Sequence, residues 1–210
     1  LAIDAGINYF DTARLYGNGQ SETNLGQVLR ELSAEVVVGT KVKLEAPDMH
    51  DIAGAVVAHV EASLKRLGRE RVDVVSLHHP VGARREIDRQ ILDVHDVAAA
   101  AEAFSTLVGQ GKIRYWGVSN FRGWRIAEAV HMAKSLNMPA PVVCQPYYNL
   151  LNRMPEVEVM PACAHHGIGV VPYSPIARGV LSGKYAPGAK PAEGTRAGRG
   201  DKRMLETEFR

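Results

Sequence analysis

Short apolar segments rich in β-branched residues recur along the chain between amphipathic stretches. In each segment, residues at both odd and even positions are apolar, which is typical of a strand buried on both faces. Six strands are predicted in this way, at residues 7–11, 36–42, 72–78, 113–119, 142–145 and 168–174.

The stretches between these segments have helical periodicity. The clearest helix is predicted at residues 52–67, after a start signal at Pro47 and Asp48 and before a stop at Gly68. Further helices are predicted at about 21–32, 96–110, 123–136 and 155–166. Strands and helices therefore alternate, which indicates either a doubly wound open sheet or a (β/α) barrel.

Glycine spacing favours the barrel. A dinucleotide-binding open sheet carries G-x-G-x-x-G after its first strand, but Gly17-x-Gly19 is followed by Glu22 and Gly109-x-Gly111 by Arg114. The phosphate-binding pattern G-x-x-x-x-G-K-[ST] does not occur either. The fold class predicted is therefore α/β, with about six units of a (β/α)8 TIM barrel.

Polar residues end the predicted strands, where a barrel carries its chemistry. They are Asp11, Lys41, His78, Ser119 with Asn120, Gln145, and Tyr173 with Ser174. Tyr16 follows the first strand by five residues. A lysine ammonium beside a phenol lowers the phenol pKa, and an aspartate would hold that lysine. Tyr16 is then a candidate general acid, and His78 a candidate hydrogen-bond donor to a substrate oxygen.

Each candidate also has a structural interpretation. Asp11 is suited to binding turn amides, Lys41 to a solvated strand end, His78 to a hydrogen-bonded core, and Tyr16 to an aromatic turn position. Spacing alone leaves both interpretations open.

Composition excludes some partners. The chain has 25 Lys and Arg against 23 Asp and Glu, and a net charge of +2 predicts neither nucleic acid nor an anionic membrane as partner. No apolar run reaches the length of about 18 residues that a membrane span needs. Cys144 and Cys163 form no disulfide framework, which predicts a reducing, cytoplasmic location.

No metal site is predicted. Adjacent histidines occur at His78-His79 and at His165-His166. Neighbouring side chains point to opposite faces of a strand and diverge on a helix, so neither pair chelates an ion as it stands.

The segment after the last strand, "YSPIARGVLSGKY", combines small residues with Arg178 and Lys184. Its backbone amides and cations suit a phosphate, and a mobile surface loop is the alternative interpretation. We expect residues 1–185 to form a partial barrel domain and residues 186–210 to be a loop or a poorly ordered tail.

Several of these motifs resemble those of the aldo-keto reductases. "GINYFDTARLYGNGQSE" is similar to the first signature of that family, "VVGTKV" carries its lysine and "VDVVSLHHP" its histidine. The segments "GKIRYWGVSNF", "CQPYYNLLNR" and "YSPIARGVLSGKY" resemble its cofactor-binding segments. The resemblance extends from residue 1 to about residue 185.

The resemblance implies an NADPH-dependent reduction of aldehydes or ketones, with a small-molecule carbonyl substrate. The catalytic residues it implies are Asp11, Tyr16, Lys41 and His78, with Tyr16 as the proton donor. The residues it implies for NADP(H) are Ser119, Asn120, Gln145, Tyr173, Ser174, Ile176, Gly179 and Lys184. Arg178 stands where many relatives have glycine, which leaves either phosphate or solvent as its partner.

The closest motif similarity is to the branch with general-stress and glyceraldehyde-type reductases and with the β subunits of potassium channels. That branch adds a cofactor-sensing binding subunit as an alternative function. The resemblance also leaves the first and eighth barrel strands unaccounted for. We therefore expect a fragment with exposed strand edges, which alone would aggregate, bind cofactor poorly or be inactive.

Overall fold

A computed structural model of the protein describes residues 1–79, 92–186, 188–202, 204 and 208. Six parallel strands form one sheet in the order in which they occur in the sequence. They are β1 (Tyr9–Asp11), β2 (Val37–Val42), β3 (Val72–Leu77), β4 (Ile113–Ser119), β5 (Val143–Gln145) and β6 (Gly169–Val170). Each lies within a segment that the apolar pattern predicts.

The sheet curls into an incomplete (β/α)8 barrel, which confirms the predicted fold class. Within the described residues, β1 and β6 are its two edges. Asp11 lies opposite Gly39, and Val42 opposite Leu77, so the carboxyl ends of β1, β2 and β3 reach the same rim. This register places the polar strand ends side by side.

Across the described ranges, five α-helices cover the outer face of the sheet. They are α1 (Gln20–Glu31), α2 (Ile52–Leu67), α3 (Val94–Gly109), α4 (Gly123–Ser135) and α5 (Val159–His166). The same part of the chain contains three 3-10 helices, Ala46–His50, Met154–Glu156 and Ala177–Ser182.

The helix predicted at 52–67 is confirmed as α2, whereas the helix predicted at 155–166 is divided. Pro47 lies in the 3-10 helix Ala46–His50, and α2 begins only after Asp51, whose side chain accepts the Gly54 N–H at 2.9 Å. The helix predicted at 155–166 is divided because Pro161 has no N–H and its ring excludes a helical carbonyl four residues earlier. Pro161 is tolerated in the first turn of α5.

The hydrophobic core fills the layer between the sheet and the helices. Trp116 of β4 is fully buried and stacks on Phe104 of α3, with ring centres 5.5 Å apart. Its indole N–H donates to the Pro139 carbonyl at 2.7 Å. A ring of this size carries much of the burial that holds a strand and a helix together, because it removes a large apolar area from water.

The division at residue 185 stays a prediction. In the described part beyond it, residues 188–202 contain turns, and Ala197 and Met204 are buried. Part of the predicted tail lies outside the described residues. Among the described helices, none has the length and apolar character needed to cross a bilayer.

Candidate active site

A cleft of about 370 Å³ opens at the carboxyl ends of the strands. It brings together five residues that the sequence singles out, Tyr16, His78, Asn120, Gln145 and Tyr173. The full lining is Leu15, Tyr16, Lys43, His78, Asn120, Gln145, Tyr173 and Arg178. Active sites of barrel enzymes lie at this end of the sheet.

Lys41 connects the first two strands beneath the cleft. Its side chain is almost completely buried, and its ammonium donates to the Asp11 carboxylate at 2.5 Å and to the Thr12 carbonyl at 2.8 Å. Burial lowers the pKa of Lys41, and the Asp11 carboxylate opposes that effect. Asp11 therefore stabilises the charged form of Lys41 at a position that is shielded from water.

Tyr16 lies on the loop between β1 and α1, and its ring is next to that cation. The Lys41 ammonium is 5.1 Å from the centre of the Tyr16 ring. The loop is a compact turn, in which the Tyr16 N–H donates to Ala13 and the Gln20 N–H to Gly17. Gly19, at φ +90°, lets the chain reverse into α1. Tyr16 is 42% exposed and lines the cleft.

The two adjacent histidines have different environments. His78 lines the cleft and is half-buried. His79 is 1% exposed, and its Nε2 accepts the Leu44 N–H at 2.7 Å. Residues that are neighbours on an extended chain face opposite sides, so His78 lies on the solvent-accessible side and His79 in the interior.

A buried carboxylate supports this region and is absent from the sequence-based candidates. Glu22 of α1 is fully buried, accepts the Thr40 hydroxyl at 2.6 Å and pairs with the Arg66 Nε at 2.6 Å. It thus joins α1, β2 and α2 directly behind Lys41. The only local sign of this role is the position of Glu22 in the first turn of α1. Its partners Thr40 and Arg66 lie 18 and 44 residues further along the chain.

Hydrogen bonds connect the polar residues at the carboxyl ends of β4, β5 and β6. The Ser119 hydroxyl donates to the Gln145 carbonyl at 3.0 Å, and the Asn120 amide donates to the Ser119 oxygen at 3.2 Å. The Tyr173 hydroxyl donates to the Asn120 Oδ1 at 2.8 Å. These bonds hold Asn120, at φ +63°, and the Tyr173 ring in fixed orientations.

Gln145 differs from its neighbours. Its residue is 6% exposed and it lines the cleft. Within the described part of the chain, its side-chain amide has no hydrogen-bond partner. A side-chain amide that faces a cleft suits a ligand with both a donor and an acceptor.

The loop after β6 reaches this cleft through Arg178, and the cofactor role of its other residues stays a prediction. Of its expected cofactor residues, Ser174, Ile176, Gly179 and Lys184 are not among the lining residues, whereas Arg178 is. Ser174 and Gly179 have positive φ, and Lys184 folds back over Gly179. The Ala177 N–H donates to the Ser174 carbonyl and the Gly179 N–H to the Ile176 carbonyl, both at 2.9 Å, so these amides are bonded within the loop.

Arg178 forms an ion pair with a carboxylate of the same chain. Its guanidinium pairs with the buried Glu208 carboxylate and lies 5.1 Å from the centre of the Tyr147 ring. The Tyr147 hydroxyl donates to the same carboxylate. Of these three residues, Arg178 lines the cleft.

Two cysteines lie directly behind Gln145. Cys144 of β5 and Cys163 of α5 are both fully buried. The Cys144 thiol donates a hydrogen bond to the Cys163 sulfur; this bond, and after it burial, raises the pKa of Cys144, and the same bond lowers the pKa of Cys163. Both are therefore thiols that water does not reach.

Residues 1–205 match the model of the Aldo/keto reductase family. The chain belongs to this family. A probable voltage-gated potassium channel subunit beta from Arabidopsis thaliana is 36% identical over 197 residues, which is 90% of this chain and 57% of the relative. Aflatoxin B1 aldehyde reductase member 2 from Rattus norvegicus is 32% identical over 185 residues, which is 87% of this chain and 47% of the relative.

Solved aldo-keto reductase structures share the fold. The aldo/keto reductase from Klebsiella pneumoniae in complex with NADP and acetate is 30% identical, with a TM-score of 0.67. The match covers 85% of this chain and 56% of that one. This aldo-keto reductase chain thus spans about half the length of the curated relatives it matches.

Proposed function

We propose that this chain contributes the active site of an NADP(H)-dependent carbonyl reductase in which Tyr16 is the proton donor. The observation that carries the proposal is the position of the Lys41 ammonium. It lies 2.5 Å from the Asp11 carboxylate and 5.1 Å from the centre of the Tyr16 ring. A cation held in this way favours the phenolate and so makes the Tyr16 hydroxyl a stronger acid.

The residues around Gln145 fit a nicotinamide. Its carboxamide would offer a donor and an acceptor to the Gln145 amide, which has no partner within the described residues. Ser119 and Asn120 would lie on the same side, and Tyr173 is held with its ring at the cleft. Relatives support this choice, since the similar Klebsiella pneumoniae structures contain NADP and NADPH.

The cofactor, when bound, supplies the hydride for the carbonyl carbon. His78, on the cleft side of β3, donates a hydrogen bond to the carbonyl oxygen and so fixes its direction. Tyr16 gives its proton to that oxygen, and Lys41 stabilises the phenolate that remains. Asp11 balances the charge on Lys41 throughout.

The experiment is NADPH consumption by the full-length protein with a panel of aldehydes, compared between the original sequence and Tyr16→Phe. We expect Tyr16→Phe to lose about 10²-fold or more in kcat, the range in which general acids contribute. Tyr115→Phe is the matched control, because Tyr115 is 53% exposed and is not part of the cleft lining. Unchanged turnover in Tyr16→Phe would rule out the proton-donor role.

A cofactor-sensing binding subunit is the second candidate. The similarity to a probable potassium channel subunit beta favours it. The two candidates differ in the rate of hydride transfer to added carbonyl compounds. Tight NADPH binding with no turnover for any aldehyde would favour the binding subunit over the reductase.

A further inference from the structure

The charges around the cleft are unequal. Two of its lining residues are cations, Lys43 and Arg178, and none of the described lining residues is an acid. Arg178 already pairs with Glu208, which offsets its charge. The charge of Lys43 is therefore the one that a ligand entering the cleft would meet.

The register of β2 and β3 explains why Lys43 faces the cleft. Val42 lies opposite Leu77, and the His78 N–H donates to the Val42 carbonyl at 2.8 Å, so Lys43 is level with His78. The next residue, Leu44, is 1% exposed and is bound through its N–H to His79. Side chains alternate along an extended chain, so Lys43 and His78 share the side on which Lys41 also lies.

The acidic residues near Lys43 in the sequence and in the sheet form ion pairs with other residues. Glu45 lies 3.3 Å from the Arg14 guanidinium, and Asp48 lies 3.0 Å from the His59 Nε2. Asp11 is bound to Lys41. Across the described residues, no carboxylate lies within ion-pair distance of the Lys43 ammonium.

We propose that Lys43 selects carbonyl substrates that carry a carboxylate. This inference rests on the proposed reductase function and adds the substrate class. The substrate carboxylate would form with Lys43 the ion pair that the described residues do not provide, while His78 and Tyr16 bind the carbonyl oxygen. An ion pair that includes hydrogen bonds in a partly enclosed cleft raises affinity by about tenfold or more.

The test compares 4-carboxybenzaldehyde with 4-carbamoylbenzaldehyde, which has the same shape and no charge. The measured quantity is the ratio of their kcat/KM values in the full-length protein and in Lys43→Met. We expect this ratio to fall by about tenfold in Lys43→Met, mainly through the KM of the anionic aldehyde. Lys43→Arg should keep most of the ratio. Lys134→Met is the control, since Lys134 is exposed in the last turn of α4.

A binding measurement separates failure of this inference from failure of the proposed function. Benzoate and benzamide are titrated calorimetrically into the full-length protein and into Lys43→Met. If neither aldehyde is reduced, the reductase proposal fails, and tighter binding of benzoate that is lost in Lys43→Met would still support the selection by Lys43. A ratio of kcat/KM values, or of benzoate to benzamide affinities, that Lys43→Met leaves unchanged would overturn the inference.

Discussion

The phenolic oxygen of Tyr9 occupies the space into which a side chain at Gly39 would project. A Cβ atom built on Gly39 would lie 2.3 Å from that oxygen and 3.5 Å from the Asp11 Oδ1. Gly39 and Asp11 are opposite each other in the sheet. Close contact between β1 and β2 beneath the candidate catalytic pair therefore depends on the absence of a side chain at position 39.

Gly39→Ala should destabilise the protein by about 1 to 3 kcal/mol, the usual cost of inserting a methyl group into a filled space. In Tyr9→Phe the cost should be smaller, because the nearest remaining ring atom is 3.0 Å away. Denaturant unfolding of the two single variants and the double variant measures this coupling. Gly109→Ala is the control, since nothing lies within 4 Å of its Cβ position. Equal costs of Gly39→Ala in both backgrounds would contradict the contact.

Tyr9 should also make stability depend on pH in the alkaline range. Burial, and after it the Asp11 carboxylate, raises the pKa of Tyr9 from 10.0 to about 12. A folded-state pKa above the unfolded value means that the folded protein holds the proton more tightly. This contribution is complete below pH 10 and is lost as the pH rises through about 12.

The measurement is the free energy of unfolding as a function of pH, for the original sequence and for Tyr9→Phe. Above pH 10, the stability of the original sequence should fall more steeply than that of Tyr9→Phe. Parallel curves would show that Tyr9 titrates alike in the folded and unfolded chains.

Asp11→Asn should reduce turnover and move its alkaline limit to lower pH. Without the Asp11 carboxylate, only Glu22 still opposes the effect of burial, so the pKa of Lys41 falls further and its charge is lost at a lower pH. We expect kcat to fall by about 10²-fold. Profiles of kcat against pH measure both effects, and Asp4→Asn is a control at a carboxylate on the protein surface. An unshifted alkaline limit would show that Asp11 does not determine the charge state of Lys41 during turnover.

Glu22→Gln should be more destabilising than its conservative shape suggests. The change removes the buried charge that pairs with Arg66, which lowers the free energy of unfolding. We expect a decrease of about 2 to 3 kcal/mol, less than for a fully buried pair, because solvent partly screens Arg66. Glu61→Gln is the matched control at the exposed pair with Lys112, where the loss should stay below about 1 kcal/mol. Comparable losses at both sites would show that burial of Glu22 carries no additional stability.

Much of the fold follows from local pattern. The six strands were predictable because strands of a covered parallel sheet carry apolar residues on both faces, as in the segment that contains Val74 and Val75. Family motifs place Asp11, Lys41 and His78 at strand ends, where the register brings them together. Their catalytic roles stay predictions.

Contacts between distant segments were not predictable in this way. The pairing of Glu22 with Arg66 connects two helices, and nothing local to either residue specifies it. Lys43 was missed because it lies one residue beyond the last residue of β2, so only the register with β3 shows that it faces the cleft. The proposed start signal at Pro47 and Asp48 belongs to a separate 3-10 helix, and α2 begins after it at Ile52, as predicted.

The buried thiols of Cys144 and Cys163 lie where their reactivity depends on the packing of β5 against α5. A thiol reagent reaches them only when β5 and α5 separate, so the rate of labelling measures how often this layer opens. Gln145 is the next residue after Cys144, and a ligand bound to Gln145 would hold the same strand closed. Ligand binding in the cleft should therefore slow the alkylation of Cys144 and Cys163, so binding can be measured without turnover.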